Sequence, residues 1–90
     1  MKIIKIGALW CSGCLVMKPI WKKVEEERPG LVTKYYDVDN DTDSIKQYNI
    51  ALERMPVFIF LDKEDKELTR VTGEVSQKTL LDLIDKYKDQ

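Results

Sequence analysis

Trp10-Cys11-Ser12-Gly13-Cys14 decides the reading of this chain. It holds the only two cysteines, two positions of other residues between them. Before it runs a strand-like apolar segment with Ile3, Ile4, Ile6, Ala8 and Leu9. After it, Leu15, Val16, Ile20, Trp21 and Val24 recur at helical spacing. A cysteine at that junction lies at a helix N-terminus. The unpaired N–H groups and the macrodipole there favour an anion, so the thiol is acidified. Cys14, one turn further in, can reach Cys11 to close a disulfide. Strand, Cys-x-x-Cys, helix is the arrangement that dithiol/disulfide exchange needs.

The whole chain sets limits on that reading. Ninety residues make a single domain, residues 1–90, with a modest core. Fifteen basic and 16 acidic residues leave a net charge of −1, which gives no reason to expect nucleic acid or an anionic membrane as partner. Histidine is absent, which removes the commonest general base and metal ligand. No stretch approaches the roughly 18–20 apolar residues of a membrane span. Met1-Lys2 and the apolar run after it resemble a signal peptide, but Lys5 interrupts the run and no small-residue cleavage site follows. The expected location is cytoplasmic. There a Cys-x-x-Cys pair is catalytic or metal-binding more often than a structural staple.

Taken in order, residues 2–8 read as a central strand apolar on both faces, with Lys5 the exception. A helix follows from about Cys11 to Arg28, with Pro19 in its interior, and Pro29-Gly30 ends it. Glu25-Glu26-Glu27 reads as a solvated face. Leu31 to Val38 is a second strand. After the turn Asp39-Asn40-Asp41, Asp41 or Asp43 caps a short helix through about Tyr48. Met55-Pro56 opens a third, apolar strand at Val57–Leu61. Asp62–Asp65 turns the chain into a fourth strand at about Glu67–Val71. Gly73 breaks it, and Ser76 caps a last helix with Leu80, Leu83, Ile84 and Tyr87 on one face. The order is β-α-β-α-β-β-α.

These marks together resemble the thioredoxin family, in a short form that starts at the family's central strand. Trp10 directly precedes the first cysteine, as in thioredoxins. Pro19 stands where the family places its helix-kinking proline. Pro56 stands where it has a cis-proline facing the cysteines, and Gly73 where it has a glycine. The resemblance implies a thioredoxin fold. Its four-stranded mixed sheet has the order 2-1-3-4, with the third and fourth strands antiparallel to the first two and helices on both faces. The chain departs from the family at several points. Ser12-Gly13 replaces the usual Gly-Pro. The family's buried aspartate falls on Lys5, and that aspartate's lysine partner falls on Tyr35. Met55 is bulkier than the usual residue before the cis-proline. No Thr-Val-Pro strand opening is present, so glutathione binding is unsupported.

The implied activity is reduction of protein disulfides by a monomer that binds no cofactor and is recharged by a separate electron-donating reductase. Cys11, read as the more exposed and more acidified thiol, is the nucleophile, and Cys14 resolves the mixed disulfide. Trp10 offers substrate an apolar wall; Trp21 reads as packing. A cis Pro56 would leave the Met55 backbone free to pair with an extended substrate segment. Ser12, Gly13 and Lys5 are read as modulating. Lys5 either snorkels to the sheet edge or sits beneath the cysteines, where its charge would favour thiolate. Two other readings stay open: a redox-sensing interaction module without turnover, and a metal-bridged dimer through the cysteines.

Overall fold

The computed structural model describes residues Met1–Gln90. Its elements are β1 (Lys2–Gly7), α1 (Ser12–Glu27), β2 (Val32–Asp37), α2 (Thr42–Ile45), β3 (Val57–Leu61), β4 (Glu67–Thr72) and α3 (Gln77–Tyr87). The sheet runs β2-β1-β3-β4, with β1 and β2 parallel and both β1–β3 and β3–β4 antiparallel. This is the expected α/β architecture and strand order, with one correction. β4 is not antiparallel to the first two strands, because the tight turn at residues 62–66 reverses the chain after β3 and sends β4 in the same direction as β1 and β2.

The alternation of side chains along β1 and β3 sorts the core into two layers. Ile4, Ile6, Val57, Ile59 and Leu61 point to one face, where Tyr36, Ile45, Tyr48 and Ile50 pack against them. Ile3, Phe58 and Phe60 point to the other, under Met17, Trp21 and Val24 of α1 and Leu80 and Ile84 of α3. The central strands are therefore apolar on both faces because both faces are covered. Arg28 closes the far end of α1 by a two-pronged bond to Asp85 of α3, at 2.9 and 2.8 Å. Ser76 caps α3, its hydroxyl accepting the Thr79 N–H at 3.1 Å.

The segment between β2 and β3 differs from the sequence reading. The short helix is a single turn, Thr42–Ile45, continued by 3-10 turns at Lys46–Tyr48 and Leu52–Arg54. Asp41 occupies the N-cap position without capping. Its carboxylate accepts the Asp37 N–H at 2.8 Å, so it holds the end of β2 and not the helix.

Phe60→Ala is expected to lower the free energy of unfolding by about 3–5 kcal/mol, since it empties a fully enclosed site. Leu15→Ala, at an exposed helix position, is expected to change it by less than about 0.5 kcal/mol. Urea unfolding of the two variants compares them directly; equal losses would contradict this assignment of the core.

Candidate functional site

The end of β1 and the start of α1 are tied together by backbone bonds. Val38 N–H donates to Gly7 O at 3.0 Å, and Cys11 N–H donates to Ala8 O at 3.3 Å. Cys11 is the N-cap of α1, in extended conformation at φ −91° and ψ 114°. Its Sγ accepts the Cys14 N–H at 3.2 Å, so the sulfur does what a serine or aspartate oxygen does at other helix starts. A hydrogen bond of this kind strengthens when its acceptor carries charge. Both thiols are free in this structure.

The exposure of the two thiols is the reverse of the expectation. Cys11 is the buried one, at 8% exposure, and Cys14 is partly exposed. Turning inward to cap the helix packs Cys11 into the layer with Ala8, Met55 and Val57. Cys14 instead rests on the sheet above Gly7, where a Cβ would lie 2.9 Å from its Sγ. Burial, reinforced by the hydrogen bond with Cys11, pushes the Cys14 thiol up from its ordinary 9.0 to about 11.

Beside Cys14 lies an open cavity of about 500 Å³, lined among others by Lys5, Gly7, Tyr35, Trp21 and Glu25. Lys5 sits on the α1 side of β1, between Tyr35 of β2 and Phe58 of β3. Its ammonium is bonded to Glu25 Oε1 at 2.9 Å and lies 5.3 Å from the centre of the Trp21 ring. Glu25 also accepts from the Thr33 hydroxyl at 3.3 Å. Glu25 therefore folds back over the sheet and is not part of a freely solvated acidic face. Trp21 is buried against Phe58, ring centres 5.2 Å apart, as its packing role requires.

Trp10 is exposed, and its indole N–H donates to Asp39 at 2.9 Å. Asp39, read from the sequence only as part of a turn, is thus a missed neighbour of the candidate site. No local signal pairs it with Trp10; only the approach of the β2 turn to the β1–α1 junction does. Leu9, Leu15 and Val16 are exposed around the same junction. The Met55–Pro56 bond is cis. The Pro56 ring and the Met55 carbonyl lie 3.3 and 3.7 Å from where a Cβ on Gly13 would stand. Met55, which lies outside the strands, makes no backbone hydrogen bond. Ser12 is exposed on the first turn of α1. The structure so brings Cys11, Cys14, Gly13, Met55 and Pro56 together, with Trp10 and Ser12 at the rim and Lys5 across the cavity. No group of three or more Cys, Asp or Glu side chains is arranged to hold a metal ion. No helix is long and apolar enough to cross a membrane.

Comparison with known proteins agrees with this geometry. A family model described as Thioredoxin matches residues 1–88. The thioredoxin of Malassezia sympodialis is 28% identical over 71 residues, covering 79% of this chain and 67% of that protein. The thioredoxin of Chlamydia trachomatis is 28% identical over 86 residues, covering 96% and 81%. Against thioredoxin H5 of Oryza sativa the matched span is 50% of that protein's length. Among solved structures, the reduced thioredoxin pre-protein of Schistosoma mansoni superposes with a TM-score of 0.80 at 29% identity, covering 96% of this chain and 77% of that one. The chain belongs to the thioredoxin family. Family and fold together support thiol–disulfide exchange as its chemistry.

The raised Cys14 thiol makes stability depend on pH. Unfolded, the thiol ionises at its ordinary 9.0; folded, it keeps its proton to about 11. The resulting stability is complete below pH 9 and is lost as pH rises from there toward 11. Tyr35 and Tyr48 are raised as well and act in the same direction, so the test is a difference. Urea unfolding of the reduced protein and of Cys14→Ala should diverge below pH 9 and converge above it. A difference that stays constant across that interval would contradict the assignment.

Proposed function

With membership of the thioredoxin family as premise, we propose that Cys11 and Cys14 reduce disulfide bonds in protein substrates. Cys11 Sγ attacks one sulfur of the substrate disulfide, which releases the other sulfur as a thiolate and leaves a mixed disulfide on Cys11. Cys14 Sγ then displaces the substrate from Cys11, and the pair closes to a disulfide. The substrate gains two electrons and two protons. A separate dithiol reductase returns the chain to the reduced state. The chain acts as a cytoplasmic monomer and needs no bound cofactor.

The observation that carries this reading is the Cys14 N–H to Cys11 Sγ hydrogen bond at the start of α1. It marks Cys11 as the sulfur whose negative charge the helix end would hold. The thiol at Cys14, pushed up to about 11, stays protonated at neutral pH and is the poorer initial nucleophile. Leu9, Trp10, Leu15 and Val16 supply an exposed apolar rim on which a substrate can rest. Met55, with its backbone N–H and C=O unpaired, suits an extended substrate segment laid alongside it. The Met55 thioether would add a soft apolar contact. Ser12 and Gly13 set how easily the two sulfurs meet, and Lys5 modulates Cys14 from across the cavity.

Reduction of insulin with dithiothreitol as electron source tests the reaction. Wild type should accelerate precipitation of the insulin B chain, and Cys11→Ser should give no acceleration over dithiothreitol alone. Cys14→Ser should trap a mixed disulfide with insulin through Cys11. If iodoacetamide at neutral pH modifies Cys14 before Cys11, the order of attack is wrong.

A further inference from the structure

Reopening the Cys11–Cys14 disulfide raises a problem that the geometry addresses. When a reductant thiolate attacks Cys11, the sulfur–sulfur bond breaks and its electron pair leaves on Cys14 Sγ. That sulfur sits in a place that burial makes costly for a thiolate. A proton must arrive as the bond breaks. The chain has no histidine. Lys5, on the neighbouring strand position, is bonded to Glu25. Asp37, also on the cavity wall, spends its carboxylate on the Asp39 N–H at 2.8 Å and the Asn40 amide at 3.1 Å.

One group remains. Tyr35 pairs with Lys5 across β1 and β2, and its side chain reaches over the end of β1. The position of a Cβ on Gly7 is 2.9 Å from Cys14 Sγ and 3.2 Å from the Tyr35 hydroxyl. With legs of 2.9 and 3.2 Å, the sulfur and the phenol oxygen stand no more than about 6 Å apart. One water, with two ordinary hydrogen bonds, spans such a gap. The hydroxyl makes no hydrogen bond within the chain, so its proton is free to be given.

We propose that the Tyr35 hydroxyl is the general acid that protonates Cys14 as its sulfur leaves during reductive opening of the Cys11–Cys14 disulfide. This rests on the thiol–disulfide exchange reading above. Stepwise, a dithiol reductant's thiolate bonds to Cys11 Sγ, and the bond to Cys14 breaks. The departing sulfur takes the Tyr35 proton, directly or through one water. The phenolate regains a proton from solvent through the open cavity. The reductant's second thiol then displaces Cys11, leaves as the reductant's disulfide, and the two electrons stay on the chain.

The phenol is held above its ordinary 10.0 by burial first, then by Asp37, Cys14 and Cys11. The thiol it serves lies near 11. Both groups hold their protons more tightly than usual, so the two shifts run in the same direction. The other charged groups on the cavity wall are Lys5, Lys18, Lys22 and Glu25, from β1 and α1. Gly7 makes the meeting possible, since any side chain there would fill the gap between sulfur and phenol.

Stopped-flow reduction of the oxidised full chain by dithiothreitol, followed by tryptophan fluorescence, tests the proposal with Tyr35→Phe. General acids contribute about 10²–10⁴-fold, and solvent competes here, so a fall of about tenfold at pH 7 is expected. Added imidazolium buffer should restore the variant's rate and leave wild type unchanged. The alkylation rate of Cys11 in the reduced variant should equal that of wild type. An unchanged reduction rate would overturn the proposal. So would a slowed rate that buffer acid does not restore, because it would assign Tyr35 a purely spatial role. If wild type itself forms no disulfide that dithiothreitol can open, the exchange reading fails, and this proposal falls with it.

Discussion

The absence of a side chain at Gly7 is the constraint on which the site depends. β1 ends there, paired to Asp37 on β2, and α1 begins five residues later. For the first turn of α1 to lie on the strand end, Cys14 must come down onto the backbone of residue 7. A methyl group there would stand 2.9 Å from the sulfur, closer than carbon and sulfur tolerate. Gly7 needs no unusual φ for this; what it supplies is room. The same room sets Cys14 low on the sheet, where desolvation raises its thiol, and leaves Cys11 at the helix end to accept the Cys14 N–H. The two sulfurs differ because one missing Cβ lets the helix start close to the strand.

The slot beneath Cys14 shows how a charged residue is accommodated on a face otherwise made of Ile3, Phe58 and Phe60. A lone ammonium there would carry a large desolvation cost. Lys5 avoids it in two ways. Its ammonium lies 5.3 Å from the centre of the Trp21 ring and is bonded to Glu25 at the wall of the cavity. The pair is partly exposed, so its own contribution to stability is small. Lys5 lines the same cavity as Cys14, but the shift of the Cys14 thiol comes from burial and from its hydrogen bond with Cys11. With Glu25 answering its charge, Lys5 presents Cys14 with a near-neutral pair in place of a bare cation. A bare cation would favour the Cys14 thiolate and so the dithiol form; a compensated one leaves burial to decide, and burial holds the proton on.

Much of this was legible in the sequence, and the limits have identifiable physical reasons. The element order and the β1–α1 junction follow from apolar periodicity and turn residues, which are local signals, whereas the strand order comes only from the resemblance to the thioredoxin family. The two-layer core follows from the same alternation. The exposure of the cysteines was read backwards because it depends on which way the Cys11 side chain turns. That choice is fixed by a hydrogen bond to Cys14, not by position along the helix. Glu25 and Asp39 looked like surface because acidic residues in isolation usually are. Each acquires a partner far along the chain, Lys5 and Trp10, through strand register and the path of the β2 turn. The 3-10 turns before Met55 carry little apolar periodicity to read, and the sequence offers Asp41 or Asp43 as a cap because nothing in it reveals that the Asp37 N–H claims the Asp41 carboxylate.

In the proposed exchange cycle, the asymmetry of the two thiols makes one half more demanding than the other. Attack by Cys11 on an outside disulfide uses the sulfur that the helix end already serves. Return to the dithiol asks the opposite sulfur to leave, and a leaving thiol of high proton affinity leaves slowly. Attack at Cys14, the more exposed sulfur, would expel Cys11 instead; the proposed cycle takes the attack at Cys11, the more buried sulfur, beside the exposed rim of Leu9, Trp10, Leu15 and Val16. That cycle needs the cost of the Cys14 departure lowered, which calls for a proton delivered from within the cavity. Where a carboxylate would do this in relatives of the family, this chain has Lys5 tied to Glu25. Tyr35, paired with Lys5 across the strands, stands on the wall of the same cavity and carries a hydroxyl with no hydrogen bond in the chain. On the proposal above, the acid stands on β2 while its cross-strand partner on β1 carries an amine.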